Sequence, residues 1–276
     1  MRQQQPTHAA PVGMCVSDAT PVVVADAVDL CPRCLKPAAL CICDAVTPID
    51  NNVGLLVLQH PQEQDRLLGT ARLATLHLTN STFKIGLSWP SLAKALGRPA
   101  DPAEWAILHL GSAKSSDLPK NRELVMLDKK GVAIPDQDRA LAGVKGIVIF
   151  DGTWSQAKTL WWRNAWVLKA KRLVLNPRRC SLYGGLRREP RREGLSTIEA
   201  AALTLSRMEQ RPEIETALRA SFALMLARYR SAQSQGALDD RAAPSKEGSP
   251  DSTAEARRPR KKRLGGRRRR SAVTTP

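Results

Sequence analysis

Six short, nearly uninterrupted apolar runs limit the architectures open to this chain. They are Gly54–Leu58, Thr82–Leu87, Trp105–His109, Leu124–Leu127, Gly146–Phe150 and Arg172–Leu175, each bounded by Gly, Pro, Asp or Lys. Strands with one wet face alternate apolar and polar residues. Continuous runs instead mark strands covered on both faces, as in a mainly parallel sheet with helices packed between strands. Helices are expected at Arg66–Leu78, Ser91–Leu96, Ser155–Leu168, Thr197–Gln210 and Glu213–Arg230. The expected fold class is α/β over residues 49–232.

The flanks read differently. Residues 1–30 are rich in Gln, Ala, Pro and Thr without periodicity and are expected to form a leader with no packed structure. Residues 233–276 form a tail that ends in the basic runs Arg257–Arg263 and Arg267–Arg270 and cannot bury a core. No apolar stretch approaches the roughly 20 residues needed to cross a bilayer. Val22–Val24 is soon interrupted by Asp26 and Asp29, unlike a secretory segment. The expectation is a cytoplasmic protein with reduced thiols.

Charge narrows the partners. The chain carries 43 Lys+Arg against 26 Asp+Glu, a net +17. From residue 231 onward 12 basic and 5 acidic residues give +7, so the remainder is itself basic at +10. Polyanions are the partners to weigh first. The tail reads either as an arm that grips RNA or as a nuclear import signal.

Between leader and sheet, residues 31–48 hold Cys31, Cys34, Cys41 and Cys43 in a C-x2-C-x6-C-x-C pattern. Thiolates so spaced can close a tetrahedral zinc site, and a segment this short has little else to hold it folded. Four thiols leave no position for water, which makes the zinc structural. The competing reading is of buried or disulfide-bonded cysteines. Cys15 and Cys180 lack such partners and read as ordinary thiols.

The run Gly146–Phe150 ends in Asp151-Gly152-Thr153-Trp154, with a helix expected from Ser155. Ligands of open α/β sheets gather at the carboxyl ends of strands, so Asp151 faces the crevice where chemistry would occur. An Asp in such a turn also serves as a plain helix cap.

The tetrapeptide resembles the signature of the DTW-domain family of tRNA-uridine aminocarboxypropyltransferases. Three further segments agree in order and spacing: the cluster Cys31–Cys43, His60-Pro61-Gln62-Glu63, and Leu195-Ser196-Thr197-Ile198-Glu199-Ala200. Thr70-Ala71-Arg72-Leu73 also fits, although Gly69 stands where the family commonly has Asn. The resemblance spans about residues 31–230. It implies a SPOUT-like, knotted sheet, S-adenosylmethionine as donor, and transfer of its 3-amino-3-carboxypropyl group to N3 of a uridine in tRNA, releasing 5′-methylthioadenosine.

On that reading Asp151 takes the N3 proton. Thr153 either hydrogen-bonds the cofactor or fixes the turn, and Trp154 either stacks on a base or anchors its helix. Ser196 and Thr197 open a helix whose free amides suit the donor's carboxylate, while Ser196-x-x-Glu199 equally fits a capping box. Leu110, Gly111 and Ser112 are placed beside the cofactor by the resemblance. Arg178, Arg179, Tyr183, Arg187 and Arg188 offer a surface for phosphates and bases, the alternative being a solvated charged loop. His60 and Glu63 either line the cleft or are a satisfied histidine and a surface acid. Trp161, Trp162 and Trp166 are expected to pack in the core. Two other functions compete: a SPOUT-type RNA methyltransferase, and a non-enzymatic zinc-ribbon RNA-binding protein in which Asp151 is a turn residue.

Overall fold

The apolar runs fold as expected of strands buried on both faces. In the computed structural model, which describes residues 30–64, 66–108, 118–119, 121–186 and 194–236, they become β1 (Gly54–Gln59), β2 (Ser81–Ile85), β3 (Trp105–Leu108), β4 (Leu124–Leu127), β5 (Gly146–Asp151) and β6 (Lys171–Leu175). These make one sheet in the order β2-β1-β5-β3-β6-β4. All neighbours are parallel except β4, which runs antiparallel to β6. The most continuous apolar runs, β1 and β5, lie inside the sheet.

The helices are α1 (Ala71–Leu76), α2 (Leu92–Leu96), α3 (Gln137–Ala142), α4 (Trp154–Arg163), α5 (Thr197–Glu209) and α6 (Pro212–Ser234). Their ends depart from the expected ones for identifiable reasons. Helix α1 starts at Ala71 instead of Arg66, because the carbonyls of Arg66 and Leu67 accept from the Lys36 ammonium at 2.7 and 2.5 Å. Helix α4 stops at Arg163 because Asn164 is buried and bonded across the chain. Its Nδ2 donates to Leu160 and Leu87 carbonyls, and its Oδ1 accepts from Trp89 N. The segment Ala165–Lys169 continues only as a 3-10 turn. Helix α3, too short to show a period, was not expected; Asp136 caps it by accepting from Arg139 N.

Two apolar layers sandwich the sheet. On one face α1, α5 and α6 pack with β1 and β5 residues such as Val57 and Ile149. On the other, α2, α4 and the 165–169 turn pack with Leu58, Val148 and Phe150. The cysteine segment docks into the first layer, since Leu40 and Ile42 are buried among its residues. It therefore has an apolar anchor besides its thiols, which corrects the expectation that metal is nearly all that holds it.

Candidate active site

Side chains alternate along β5, and this alternation aims Asp151. Ile149 faces the α5 layer and Phe150 the α4 layer, so Asp151 returns to the α5 side at the carboxyl end of the strand. The parallel register sets Gln59 of β1 directly beside it. Gln59 Nε2 donates to Asp151 Oδ2 at 2.8 Å, while Thr197 Oγ1, at the start of α5, donates to Oδ1 in a short bond. His60 N donates to the Asp151 carbonyl at 2.9 Å. Each carboxylate oxygen thus has one fixed partner and keeps further lone-pair capacity.

The turn after Asp151 is tightly built. Gly152 has φ +155°, and a Cβ there would stand 2.9 Å from Gln156 Oε1 and 3.0 Å from Gln156 Cβ. Thr153 and Gln156 form a capping box, with Thr153 N donating to Gln156 Oε1 at 2.6 Å and Gln156 N to Thr153 Oγ1 at 3.4 Å. Thr153 therefore fixes the turn. Gln156 Nε2 reaches Gln62 Oε1 at 3.2 Å, joining the turn to the His60–Glu63 segment. Trp154, half-buried, opens α4. His60 and Glu63 are both buried, so Glu63 is no surface acid, and it lies 3.7 Å from Arg66 Nε. His60 Nδ1 accepts from Gln62 N, which leaves the proton of a neutral ring on Nε2.

One expected ligand contact is corrected, that of Tyr183. Ser196 Oγ donates to Glu199 Oε2 at 2.7 Å and accepts from Glu199 N at 3.4 Å, so the capping box expected at the start of α5 is formed. Ile198 N donates to Thr70 Oγ1, so two of the first amides of α5 already have partners. Tyr183 does not face RNA. Its ring packs edge-on against Phe222 with centroids 4.9 Å apart, and its hydroxyl donates to the Leu68 carbonyl at 2.6 Å. Arg178 and Arg179 are exposed on the same loop. Leu110, Gly111, Ser112, Arg187 and Arg188 lie outside the described residues.

The four thiols of Cys31, Cys34, Cys41 and Cys43 lie within 4.8 Å of one another and could hold a metal ion. The Cys31–Cys43 sulfur separation of 3.8 Å matches the edge of a tetrahedron with metal–sulfur bonds of about 2.3 Å. Amides of Cys34 and Arg33 lower the Cys31 thiol to about 6. Burial raises Cys34 and Cys43, whose ionisation therefore needs a cation nearby.

Sequence reasoning missed Gln59 and Lys36. A polar residue closing an otherwise apolar strand, just before His60, was the available signal for Gln59. Lys36 carried none. It projects from between the cysteines into the domain, where burial pushes its amine down to about 8 and the charges of Cys34 and Asp151 favour its protonated form. A Cβ at Gly69 would press on the Arg66 carbonyl at 3.1 Å, the same oxygen that accepts from Lys36 Nζ, and would touch Nζ itself only at an ordinary 3.8 Å.

The family model described as DTW domain matches residues 28–230. The chain is similar to tRNA-uridine aminocarboxypropyltransferase 2 of Mus musculus, at 32% identity over 193 residues, 68% of this chain and 59% of that protein. It is 29% identical to the protein of the same name from Macaca fascicularis (68% and 59% covered) and 28% identical to that from Drosophila melanogaster (68% and 70%). The chain thus spans about three fifths of the length of the two mammalian relatives. No solved structure gives a significant match. With the matched region running from the cysteine cluster through both sheet layers, the chain belongs to the DTW-domain family.

Proposed function

We propose that this chain is a tRNA-uridine aminocarboxypropyltransferase that modifies N3 of a uridine. The observation that carries the proposal is the Asp151 carboxylate, clamped through Oδ2 by Gln59 and through Oδ1 by Thr197 at the carboxyl ends of β1 and β5. The names of the relatives supply the reaction class. S-adenosylmethionine, when bound, supplies the aminocarboxypropyl group on a sulfonium that leaves as 5′-methylthioadenosine.

The chain's own residues act on the uridine. N3 of neutral uridine is a poor nucleophile because its lone pair is delocalised and its proton is still attached. A lone pair of Asp151 accepts that proton as N3 forms its bond to the donor's methylene carbon and the carbon–sulfur bond breaks. Gln59 and Thr197 prevent the carboxylate from rotating away, which keeps the reacting groups in line. Half-buried Trp154 stands at the next turn, where a base would enter. The exposed Arg178 and Arg179 offer phosphate contacts at the rim.

The four cysteines fit a structural zinc ion in number, softness and spacing. The SPOUT-like knot belongs to the same proposal, supported by the way β5 and β6 enter between earlier strands.

The test is Asp151→Asn in the full-length, metal-loaded protein. Asn keeps the size and can still meet both neighbours, because the Thr197 hydroxyl can turn to accept. Single-turnover formation of aminocarboxypropyl-uridine should fall roughly 10²–10⁴-fold while donor and tRNA still bind. A rate within a few fold of wild type would remove Asp151 from the mechanism. Production of S-adenosylhomocysteine in place of methylthioadenosine would show a methyltransferase.

A further inference from the structure

The end of helix α4 and the 3-10 turn after it carry three tryptophans, Trp161, Trp162 and Trp166, and the fold uses two of them. Trp161 packs edge-on against Phe150 with centroids 6.3 Å apart, and the Arg172 guanidinium lies 5.9 Å from its ring centroid. Trp166 is buried in the α4 layer. Trp162, expected in the core, is 79% exposed, the most exposed large apolar side chain among the described residues. The helix ends at Arg163, before Trp166, so Trp162 and Trp166 do not share one helical face, and Trp162 falls on the outer face with exposed Ser155 and Lys158.

A single exposed apolar side chain is ordinary. The setting of Trp162 is not. From Gly152 to Arg188 the chain has nine Lys+Arg and no acidic residue. Lys158 is exposed one turn before Trp162, on the same face of α4, and Ser155 is exposed one turn earlier still. Arg163 follows directly, also exposed, with exposed Lys169 beyond it. The turn Pro102–Glu104, which packs against the 165–169 segment, carries the nearby acids. Glu104 is paired with Lys145 at 2.6 Å, and Asp101 caps its own turn through Ala103 N. The exposed charges on α4 and the turn after it, Lys158, Arg163 and Lys169, are thus all positive, and of the two acids only Asp101 lacks a basic partner among the ion pairs of the described residues.

The structure assigns, we infer, a second RNA contact to the outer face of α4, where the Trp162 ring stacks on an unpaired base and Lys158 and Arg163 meet the adjoining phosphates. An exposed aromatic within a positive surface is the arrangement by which proteins hold single-stranded nucleotides without reading their sequence. Helix α4 begins at the Asp151–Trp154 turn, so Trp162 stands about 12 Å along it from Trp154 at 1.5 Å per residue. That distance places the platform under nucleotides flanking the reacting uridine. The inference rests on the tRNA reading above.

The experiment uses full-length, metal-loaded protein and an unmodified tRNA transcript. Affinity is measured across a salt series, together with steady-state kinetics, melting temperature and sedimentation, for wild type, Trp162→Ala, Trp162→Phe and Lys158→Gln. Trp162→Ala should weaken binding roughly tenfold and raise the tRNA KM while leaving kcat near wild type. Trp162→Phe, which keeps a ring, should recover most of the loss. Lys158→Gln should reduce the slope of log affinity against log salt by about one. Unchanged tRNA affinity in Trp162→Ala would overturn the inference. So would a marked drop in its melting temperature, which would make Trp162 a packing residue. Loss of self-association in Trp162→Ala at unchanged tRNA affinity would assign the face to a second copy of the chain and likewise overturn it. Wild-type protein that binds tRNA through Trp162 but forms no aminocarboxypropyl-uridine would instead defeat the proposed reaction alone.

Discussion

Glu199 holds more of the site together than its place in a capping box implies. Its fully buried carboxylate accepts from Ser196 N at the start of α5, from Ser181 Oγ and Leu182 N in the arginine loop, and from Arg219 of α6 at 3.1 Å. Glu199→Gln keeps the shape but leaves Arg219 without its counter-charge and presents an amide group to donors. We expect a loss of about 3 kcal/mol, read as a lower midpoint in denaturant unfolding. An unchanged midpoint would show the ion pair to be dispensable. Asn164→Ala, which strips partners from Trp89 N and from two carbonyls, should cost about 1–3 kcal/mol in the same measurement. The S-x-x-E spacing made the local role of Glu199 legible. Its other partners, 17 to 20 residues away, meet it only once the loop folds back. Tyr183 was misread for a related reason: a tyrosine among arginines looks like a stacking surface until the chain bends it under α6.

At the scale of elements, strands were legible and helix ends were not. Burial on both faces writes itself into the sequence as an apolar run, whereas the ends of α1 and α4 are set by Lys36 and Asn164, which reach carbonyls distant in sequence. The cysteine segment combines both kinds of information. Its four thiols were visible as a pattern, yet its docking through Leu40, Ile42 and Lys36 was not. Replacing Cys34 with Ser should abolish the roughly one equivalent of zinc expected per chain and lower the melting temperature, because metal binding is coupled to folding. The sheet should survive, since Leu40 and Ile42 keep their apolar seats; circular dichroism would show its signal retained. Wild-type protein purified without chelator and found free of zinc would refute the metal assignment.

Across the whole molecule, charge is spread over more than one surface. The last 40 residues contribute +7 in sequence and lie outside the described part. Deleting residues 237–276 should weaken tRNA binding most at low salt and leave turnover at saturating tRNA nearly intact, because such contacts release counterions without touching the reacting atoms. A truncated protein that bound as before but lost turnover would contradict this. The order of the sheet carries a different consequence, for synthesis. Strand β5 lies between β1 and β3, both of which leave the ribosome earlier. Until it arrives, β1 pairs only with β2 and presents its other edge unpaired, a state prone to sticking to other chains. The same late strand delivers Asp151, and α5, which clamps it, comes later still. A nascent chain thus has no clamped Asp151 carboxylate until its central strand has closed the gap and α5 has followed, so assembly of the candidate site is among the last steps of folding.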